Sequence, residues 1–228
     1  IPESYWPEPE SLKRDVRSDG TEVADVRFVE QEDFQDLKTT TYVDAIAAVT
    51  HRRMETDERV FIMGEEVGHF QGGVYGASKG AAKSFPDRVF NTPISEAGFV
   101  GMGGGAASVG LRPIVEIMFP DFALVAADQM FNQIGKLRHM YGGQVRFPLI
   151  LRTRVALGQG YGGQHSMNPS GFFGMFSGWR VVAPANAFDY IGLFNTAMRT
   201  EDPVVIIEHA DLYATEGPVP DDDLDYFV

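Results

Sequence analysis

The chain contains no cysteine, which excludes disulfide bonds, thiolate metal sites and a cysteine nucleophile. Basic residues are also scarce, since 19 lysines and arginines stand against 32 acidic residues and the formal net charge is -13. Because nucleic acids and anionic membranes would repel such a surface, we expect neither as a partner. No apolar run approaches the roughly eighteen residues that a membrane-spanning helix needs, so a cytoplasmic location is the default expectation.

The composition of the 228 residues, 44% hydrophobic and 22% charged, is ordinary for a globular chain, and one domain is expected. Both ends are acidic, and the first residue is Ile1 with three prolines close behind it. We therefore expect an acidic linker or extension over 1–38, an α/β domain over 39–214, and a tail over 215–228. The sequence is predicted to be a piece of a longer protein.

Short apolar runs rich in valine and isoleucine recur along the chain without alternating polar residues, which is typical of strands buried on both faces. Segments with helical periodicity lie between them, notably 121–140 and 186–199, and another helix is predicted from about Thr40. Strand and helix therefore alternate, which predicts a mostly parallel sheet with helices on both faces. The apolar runs are Val60 to Met63, Ile114 to Met118, Leu149 to Leu151, Val181 to Ala183 and Val204 to Ile207.

Two glycine-rich segments, 64–80 and 158–163, each follow a predicted strand. In open parallel sheets the loops at the carboxyl ends of the strands build the ligand site. We therefore expect both segments to contribute to a binding site and not merely to connect elements.

The stretch from Gly101 to Ala106 matches the dinucleotide-binding pattern GxGxxA. A Rossmann site requires this pattern directly after a strand, but here a proline and a carboxylate precede it. We interpret the stretch instead as part of a small-residue helix over about 97–109. Because each interior glycine costs a helix about 1 kcal/mol relative to alanine, we expect Gly101 and Gly105 to let another helix approach closely.

Two residues are candidates for chemistry, although each also has a structural interpretation. Glu96 is predicted at the start of the glycine-rich helix, where the helix dipole alone would favour a carboxylate. His165 follows the glycine-rich loop over 158–163 and, taken alone, is equally consistent with a structural or surface histidine. Neither residue establishes a function by itself.

Several separated motifs together give a more specific signal, and they fall in order between about Thr40 and Leu212. They are Gly64 to Gly68, Gly72 to Tyr75, Arg88 to Gly98, Gly110 to Pro113, Gln164 to Ser166 and Val181 to Pro184. In these stretches the chain resembles the β subunit of the thiamine-diphosphate-dependent decarboxylating component of 2-oxo acid dehydrogenase complexes, in the transketolase-like superfamily. The resemblance implies the fold of a thiamine-diphosphate pyrimidine domain. It also implies that the tail over 215–228 leads toward a missing C-terminal domain.

The resemblance also implies roles for three residues. By position, Glu96 matches the family's glutamate that hydrogen-bonds the pyrimidine ring and so activates the cofactor. Phe122 matches the aromatic residue that stacks on the pyrimidine, although plain core packing is the alternative. His165 matches the histidine on the substrate side of the cofactor, where an imidazole can stabilise developing charge or shuttle protons. The step that His165 serves is left open.

No Gly-Asp-Gly motif, which related enzymes use to hold magnesium and diphosphate, occurs in the sequence. The resemblance places those ligands on an α-type subunit or a fused α half, and we expect none here. Further expected partners are a second β-type copy, giving a heterotetramer, and a lipoyl-bearing acyltransferase component. The implied reaction is oxidative decarboxylation of pyruvate, a branched-chain 2-oxo acid or acetoin. Alternatives are a transketolase or deoxyxylulose phosphate synthase type enzyme, or a noncatalytic assembly subunit.

Overall fold

A computed structural model describes Glu10, residues 15–70 and residues 72–228 of the chain. Eight strands lie within this described part: β1 Leu37–Thr41, β2 Val60–Gly64, β3 Val89–Asn91, β4 Arg112–Ile117, β5 Ile150–Val155, β6 Arg180–Val182, β7 Val204–His209 and β8 Glu216–Pro220. The α-helices are α1 Tyr42–Thr56, α2 Ala81–Ser84, α3 Glu96–Ser108, α4 Gly135–Met140, α5 Ser170–Phe173 and α6 Ala187–Arg199. None of the helices in the described part is long and apolar enough to cross a membrane.

Six of these strands form one parallel sheet in the order β3-β2-β4-β5-β7-β6, while β1 and β8 pair separately as an antiparallel ribbon. Successive residues of the central strands alternate between two hydrophobic cores. Ile62 and Ile114 face the core that contains α1 and α6, whereas Met63 and Val115 face the core that contains α3. The sheet is therefore covered on both faces, and the predicted α/β class with a mostly parallel sheet is confirmed.

The helix starts follow local capping chemistry. Thr41 Oγ1 accepts a hydrogen bond from Asp44 N at the start of α1, and Asn186 accepts one from Asp189 N at the start of α6. Each bond satisfies a backbone N–H that has no partner within the helix. Both helices were predicted from their sequence pattern, and the structure confirms them.

The segment predicted as one helix over 121–140 is not a single α-helix. It contains a 3-10 turn at Pro120–Leu124, a π-helical stretch at Asp128–Ile134 and then α4. The Trp179 side chain donates a hydrogen bond from Nε1 to Met130 O (2.8 Å) inside the π stretch. Tertiary contacts therefore decide the local helix type, which periodicity alone does not show.

The part of the predicted linker or extension that the structure describes lies against the domain. Ser18 N donates a hydrogen bond to Oδ1 of Asp202, which is buried, and Arg17 Nη2 donates one to Trp179 O (2.6 Å). In the predicted tail, β8 pairs with β1. The three prolines near the start lie outside the described residues, and the division into 1–38, 39–214 and 215–228 stays a prediction.

Candidate active site

The chain order of the strands creates a crevice at the carboxyl ends of β2 and β4. From β2 the chain crosses to β3 on one side, returns to β4 on the other side of β2, and continues to β5. In open parallel sheets, ligands bind at such a reversal point. Glu96 follows β3, Phe122 follows β4 and His165 follows β5. The fold therefore brings all three residues singled out from the sequence to one edge of the sheet.

Glu96 is the first residue of α3 and is buried, with 5% of its surface exposed. The positive end of the helix dipole stabilises a carboxylate in this position. Among the described residues, no lysine, arginine or histidine forms an ion pair with Glu96. The Glu96 side chain therefore lies at the positive end of the helix dipole, and no cation among the described residues pairs with it.

A second carboxyl group, that of Glu65, lies beside Glu96. Glu65 directly follows β2, and burial raises its pKa to about 7, with further contributions from the charges of Glu96, Glu116 and Glu66 and from a hydrogen bond with Glu96. Burial and the negative charges around Glu65 therefore disfavour the ionised form of its carboxyl group. The sequence motifs did not single out Glu65 as a site residue, although adjacent acids directly after a buried strand were an available signal.

His165 packs edge-on against two aromatic rings from the segment after β4. Its ring centroid lies 4.8 Å from that of Phe119 and 5.1 Å from that of Phe122. Phe119 is buried, whereas Phe122 is partly exposed. A hydrogen bond from Met167 N to Asp121 Oδ1 (3.1 Å) ties together the two loops that carry these rings. Phe122 and His165 are therefore in contact, and part of Phe122 remains accessible to a ligand.

Two tyrosines extend this aromatic wall. The ring centroids of Tyr75 and Tyr161 lie 6.1 Å and 5.3 Å from that of Phe119. Burial and a hydrogen bond with Tyr161 raise the pKa of Tyr75 to about 12, although the charge of Arg154 opposes both effects. The Arg154 guanidinium carbon lies 3.8 Å from the Tyr75 ring centroid, a cation–π contact. Both glycine-rich loops thus contribute side chains to one wall.

A buried ionic network supports the site from within the sheet. Arg152 on β5 and Glu208 on β7 are each 1% exposed, and Arg152 Nε donates to Glu208 Oε1 (2.7 Å). Tyr190 and Tyr213 donate their hydroxyl protons to the same carboxylate at 2.6 Å and 2.5 Å, and Arg152 also pairs with Glu116 at 3.4 Å. Such a network is costly to break because each charge would be left buried without its partner.

The site residues form two groups and not one contact cluster. Among the residues that the structure describes, no hydrogen bond or ring contact joins Glu96 to Phe122 or His165. Glu96 follows β3, whereas Phe122 and His165 follow β4 and β5, and β2 lies between β3 and β4 in the sheet. The roles assigned to the three residues therefore stay predictions.

An apolar groove of about 720 Å³ lies between α3, β2 and β3. Phe61, Phe90 and Met102 line it, and Met102 is 65% exposed. The groove reaches Ser95, which precedes Glu96. Apolar side chains are therefore exposed next to the start of α3, beside Glu96.

The described residues hold no cluster of three or more histidine, aspartate or glutamate side chains arranged to bind a metal ion. Glu96 and Phe122 nevertheless have the chemistry to contact the pyrimidine ring of thiamine diphosphate. One is a buried hydrogen-bond acceptor without a fixed counter-ion, and the other is a partly exposed aromatic ring. These side chains therefore fit the ring end of such a cofactor.

Residues 38–215 match the family model described as transketolase, pyrimidine binding domain. The chain belongs to this family. The match covers the large parallel sheet together with Glu96, Phe122 and His165. The predicted pyrimidine-domain fold is thereby confirmed.

Curated relatives of this pyrimidine-binding domain include dehydrogenase β subunits. Pyruvate dehydrogenase E1 component subunit beta-1, mitochondrial, of Arabidopsis thaliana is 40% identical over 189 residues, which cover 82% of this chain and 52% of the relative. The acetoin:2,6-dichlorophenolindophenol oxidoreductase subunit beta of Cupriavidus necator is 39% identical over 186 residues, covering 78% and 55%. The chain thus spans about half the length of these relatives. The resemblance to such β subunits is confirmed.

A solved structure with the same fold is a split gene transketolase, described as an inactive beta4 tetramer. It superposes with a TM-score of 0.61 and 19% sequence identity, over 81% of this chain and 55% of that one. At this identity the likeness shows the fold alone.

Proposed function

We propose that the chain is the pyrimidine-binding half of a thiamine-diphosphate-dependent 2-oxo acid dehydrogenase. The proposed reaction is oxidative decarboxylation of a 2-oxo acid with acyl transfer to a lipoyl carrier. The observation that carries the proposal is the buried carboxylate of Glu96, which stands at a helix start beside the strand-order reversal of a transketolase-type pyrimidine domain. Relatives named as pyruvate and acetoin dehydrogenase β subunits support this choice of reaction.

In this proposal, Glu96 accepts a hydrogen bond from the protonated pyrimidine ring, and the partly exposed Phe122 packs against the ring face. Bound thiamine diphosphate supplies the nucleophilic carbon for attack on the 2-oxo group. His165 stands on the substrate side, held edge-on by Phe119 and Phe122. Its ring can donate to or accept from a reacting oxygen without a change in backbone position.

The proposed active form needs partners. In this proposal magnesium and the diphosphate are held by an α-type subunit or a fused α half, as the resemblance to the dehydrogenase β subunits implies. The apolar groove beside Glu96 supports a protein interface next to the cofactor. A second β-type copy completes the proposed heterotetramer. A lipoyl-bearing acyltransferase component joins the heterotetramer in the proposed complex. A cytoplasmic location stays a prediction, and relatives include proteins named as mitochondrial and chloroplastic.

Glu96→Gln tests this proposal. An amide cannot support ring protonation as a carboxylate does, so we expect turnover to fall by a factor of about a hundred or more, with the fold retained. The assay is 2-oxo acid decarboxylation by the chain assembled with its α-type partner, with an artificial electron acceptor. Glu32→Gln, a change at an exposed acid far from the site, is the matched control.

Near-normal decarboxylation by the assembled Glu96→Gln variant would overturn the assigned role. If the unsubstituted assembly itself bound its partner but showed no decarboxylation, the noncatalytic assembly subunit would be the correct interpretation. Activity with sugar phosphates in place of 2-oxo acids would instead favour the transketolase type.

A further inference from the structure

A buried guanidinium group lies at the carboxyl end of β5. Arg154 is 8% exposed, and none of the described residues accepts a hydrogen bond from its Nε or Nη1 atom. Glu208, its register partner on β7, already accepts hydrogen bonds from Arg152 and two tyrosines. Arg154 therefore carries a buried charge that no ion pair neutralises in the part of the chain that the structure describes.

Three tyrosine rings surround this guanidinium group. Its central carbon lies 3.8 Å from the ring centroid of Tyr75, 5.1 Å from that of Tyr213 and 6.0 Å from that of Tyr161. These distances fall within the range of about 6 Å over which the face of an aromatic ring attracts a cation, and the attraction is strongest where water is excluded. Arginine suits this place because its planar guanidinium stacks on a ring, whereas the ammonium of lysine is a compact point charge.

The three tyrosines come from different segments above the sheet. Tyr75 lies in the glycine-rich segment 64–80, Tyr161 lies in the glycine-rich segment 158–163, and Tyr213 follows β7. An added Cβ at any glycine of the second segment meets nothing within 4 Å, so the backbone of that loop is not packed closely against the rest of the domain. The position of the loop therefore depends on side-chain attachments such as that of its tyrosine.

The same rings connect Arg154 to His165. The Phe119 ring centroid lies 6.1 Å from that of Tyr75 and 5.3 Å from that of Tyr161. On its other side, the Phe119 centroid lies 4.8 Å from that of His165. Because Phe119 is buried in close packing, a shift of either tyrosine displaces it. The position of His165 thus depends on Arg154 through one tyrosine and Phe119.

We propose that Arg154 is a positioning residue that ties the two glycine-rich loops together and so holds the aromatic wall against which His165 packs. The arginine clamp consists of Arg154 and the rings of Tyr75, Tyr161 and Tyr213. Its catalytic meaning rests on the proposed function, in which His165 stands on the substrate side of the cofactor. The clamp itself is a property of this chain alone.

The first test needs neither cofactor nor partner. Amide hydrogen exchange of the full chain, followed by mass spectrometry, reports the opening of loop hydrogen bonds such as Ser78 N to Gly72 O and His165 N to Gly162 O. Arg154→Leu removes the charge but keeps an apolar side chain. We expect both loops to exchange about tenfold faster in this variant, because the cation–π contacts are lost. Peptides from α6 should exchange at an unchanged rate, which separates loop opening from global unfolding.

Arg146→Leu is the matched control, since the side chain of Arg146 is 64% exposed and belongs to no part of the clamp, and it should leave both loops unchanged. If Arg154→Leu proves too unstable to measure, the clamp can be opened from the other side. Tyr75→Leu removes the nearest ring, whereas Tyr75→Phe retains it, so faster loop exchange is expected in Tyr75→Leu alone. Unchanged loop exchange in Arg154→Leu, or equal exchange in the two Tyr75 variants, would overturn the proposal.

The second test uses the assembled enzyme and measures whether Arg154 acts through His165. We expect Arg154→Leu to lower kcat about tenfold in the unsubstituted background, but by less than about twofold when His165 is already replaced by alanine. Arg154→Lys keeps the charge without the planar stacking surface, so its kcat should lie between those of Arg154→Leu and the unsubstituted enzyme. An unchanged kcat in Arg154→Leu, or losses that multiply in the double variant, would contradict a role exerted through His165.

The two tests separate failure of the inference from failure of the proposed function. If loop exchange rises in Arg154→Leu but the unsubstituted assembly does not decarboxylate a 2-oxo acid, the arginine clamp stands and the proposed function falls. If Glu96→Gln is inactive but both loops exchange normally in Arg154→Leu, the proposed function stands and the positioning role of Arg154 falls.

Discussion

Replacement of a single glycine in α3 offers a sharp test of how that helix is held against the sheet. An alanine Cβ at position 103 would lie 2.5 Å from Val115 Cγ2, where ordinary van der Waals contacts lie at 3.4–4 Å. Val115 is fully buried in β4, and its branched side chain has little freedom to turn away. Helix and strand would therefore have to separate by about 1 Å.

Gly105 provides the matched control, because an added Cβ there meets nothing within 4 Å. Both glycines lie inside α3, so both alanine variants gain about 1 kcal/mol of helix propensity. Only Gly103→Ala also suffers overpacking, which costs about 1–3 kcal/mol. The propensity gain cancels in the comparison, and Gly103→Ala should be less stable than Gly105→Ala by about 1–3 kcal/mol.

Urea unfolding of the full chain, followed by circular dichroism, measures this difference directly. We expect the midpoint of Gly105→Ala to lie above that of the unsubstituted chain and the midpoint of Gly103→Ala to lie below that of Gly105→Ala. Equal midpoints for the two variants would refute the close packing of α3 on β4. In the assembled enzyme, Gly103→Ala should also lower turnover, because α3 carries Glu96 at its start.

Two further changes test the interior network and the aromatic wall. Glu208→Leu leaves Arg152 as a buried charge without its main partner, so we expect a loss of about 3–5 kcal/mol in unfolding free energy, measured by urea denaturation. A loss below 1 kcal/mol would show that the network is relaxed by water or local movement. His165→Ala should lower acyl transfer or decarboxylation, measured separately with a lipoyl carrier and an artificial acceptor. Wild-type rates in both assays would make His165 a structural partner of Phe119.

Sequence pattern predicted the elements whose residues carry a strong local signal. β2, β4 and β7 are apolar runs, and α1 and α6 combine a capping residue with a periodic apolar face. The apolar run gave too short a length for β5. It predicted a strand from Leu149 to Leu151, but β5 extends over Ile150–Val155. Arg152 and Arg154 interrupt the apolar run, yet both are buried, because carboxylates and aromatic rings from other elements surround them.

The sequence pattern did not predict the exposed or irregular elements, for a different reason. β3 has three mostly exposed residues, and β1 is largely exposed and pairs with a strand from the far end of the chain. Such strands exist because a neighbour supplies hydrogen bonds, and their own side chains carry little hydrophobic pattern. We expected Gly101 and Gly105 to let another helix approach closely. Within the chain, a close neighbour lies only at Gly101, where an added Cβ would be 2.9 Å from the Gln129 side chain. An added Cβ at Gly105 meets nothing within 4 Å.

The sequence by itself determined the class of this protein. Alternating apolar runs and periodic helices specify a doubly covered parallel sheet, and the spaced motifs around Glu96 and His165 specify the pyrimidine-domain family. Only the tertiary structure decided which side chains meet, such as His165 and Tyr75, each with Phe119. Those contacts join residues from different loops, and their distances depend on strand order and register, which no local pattern encodes.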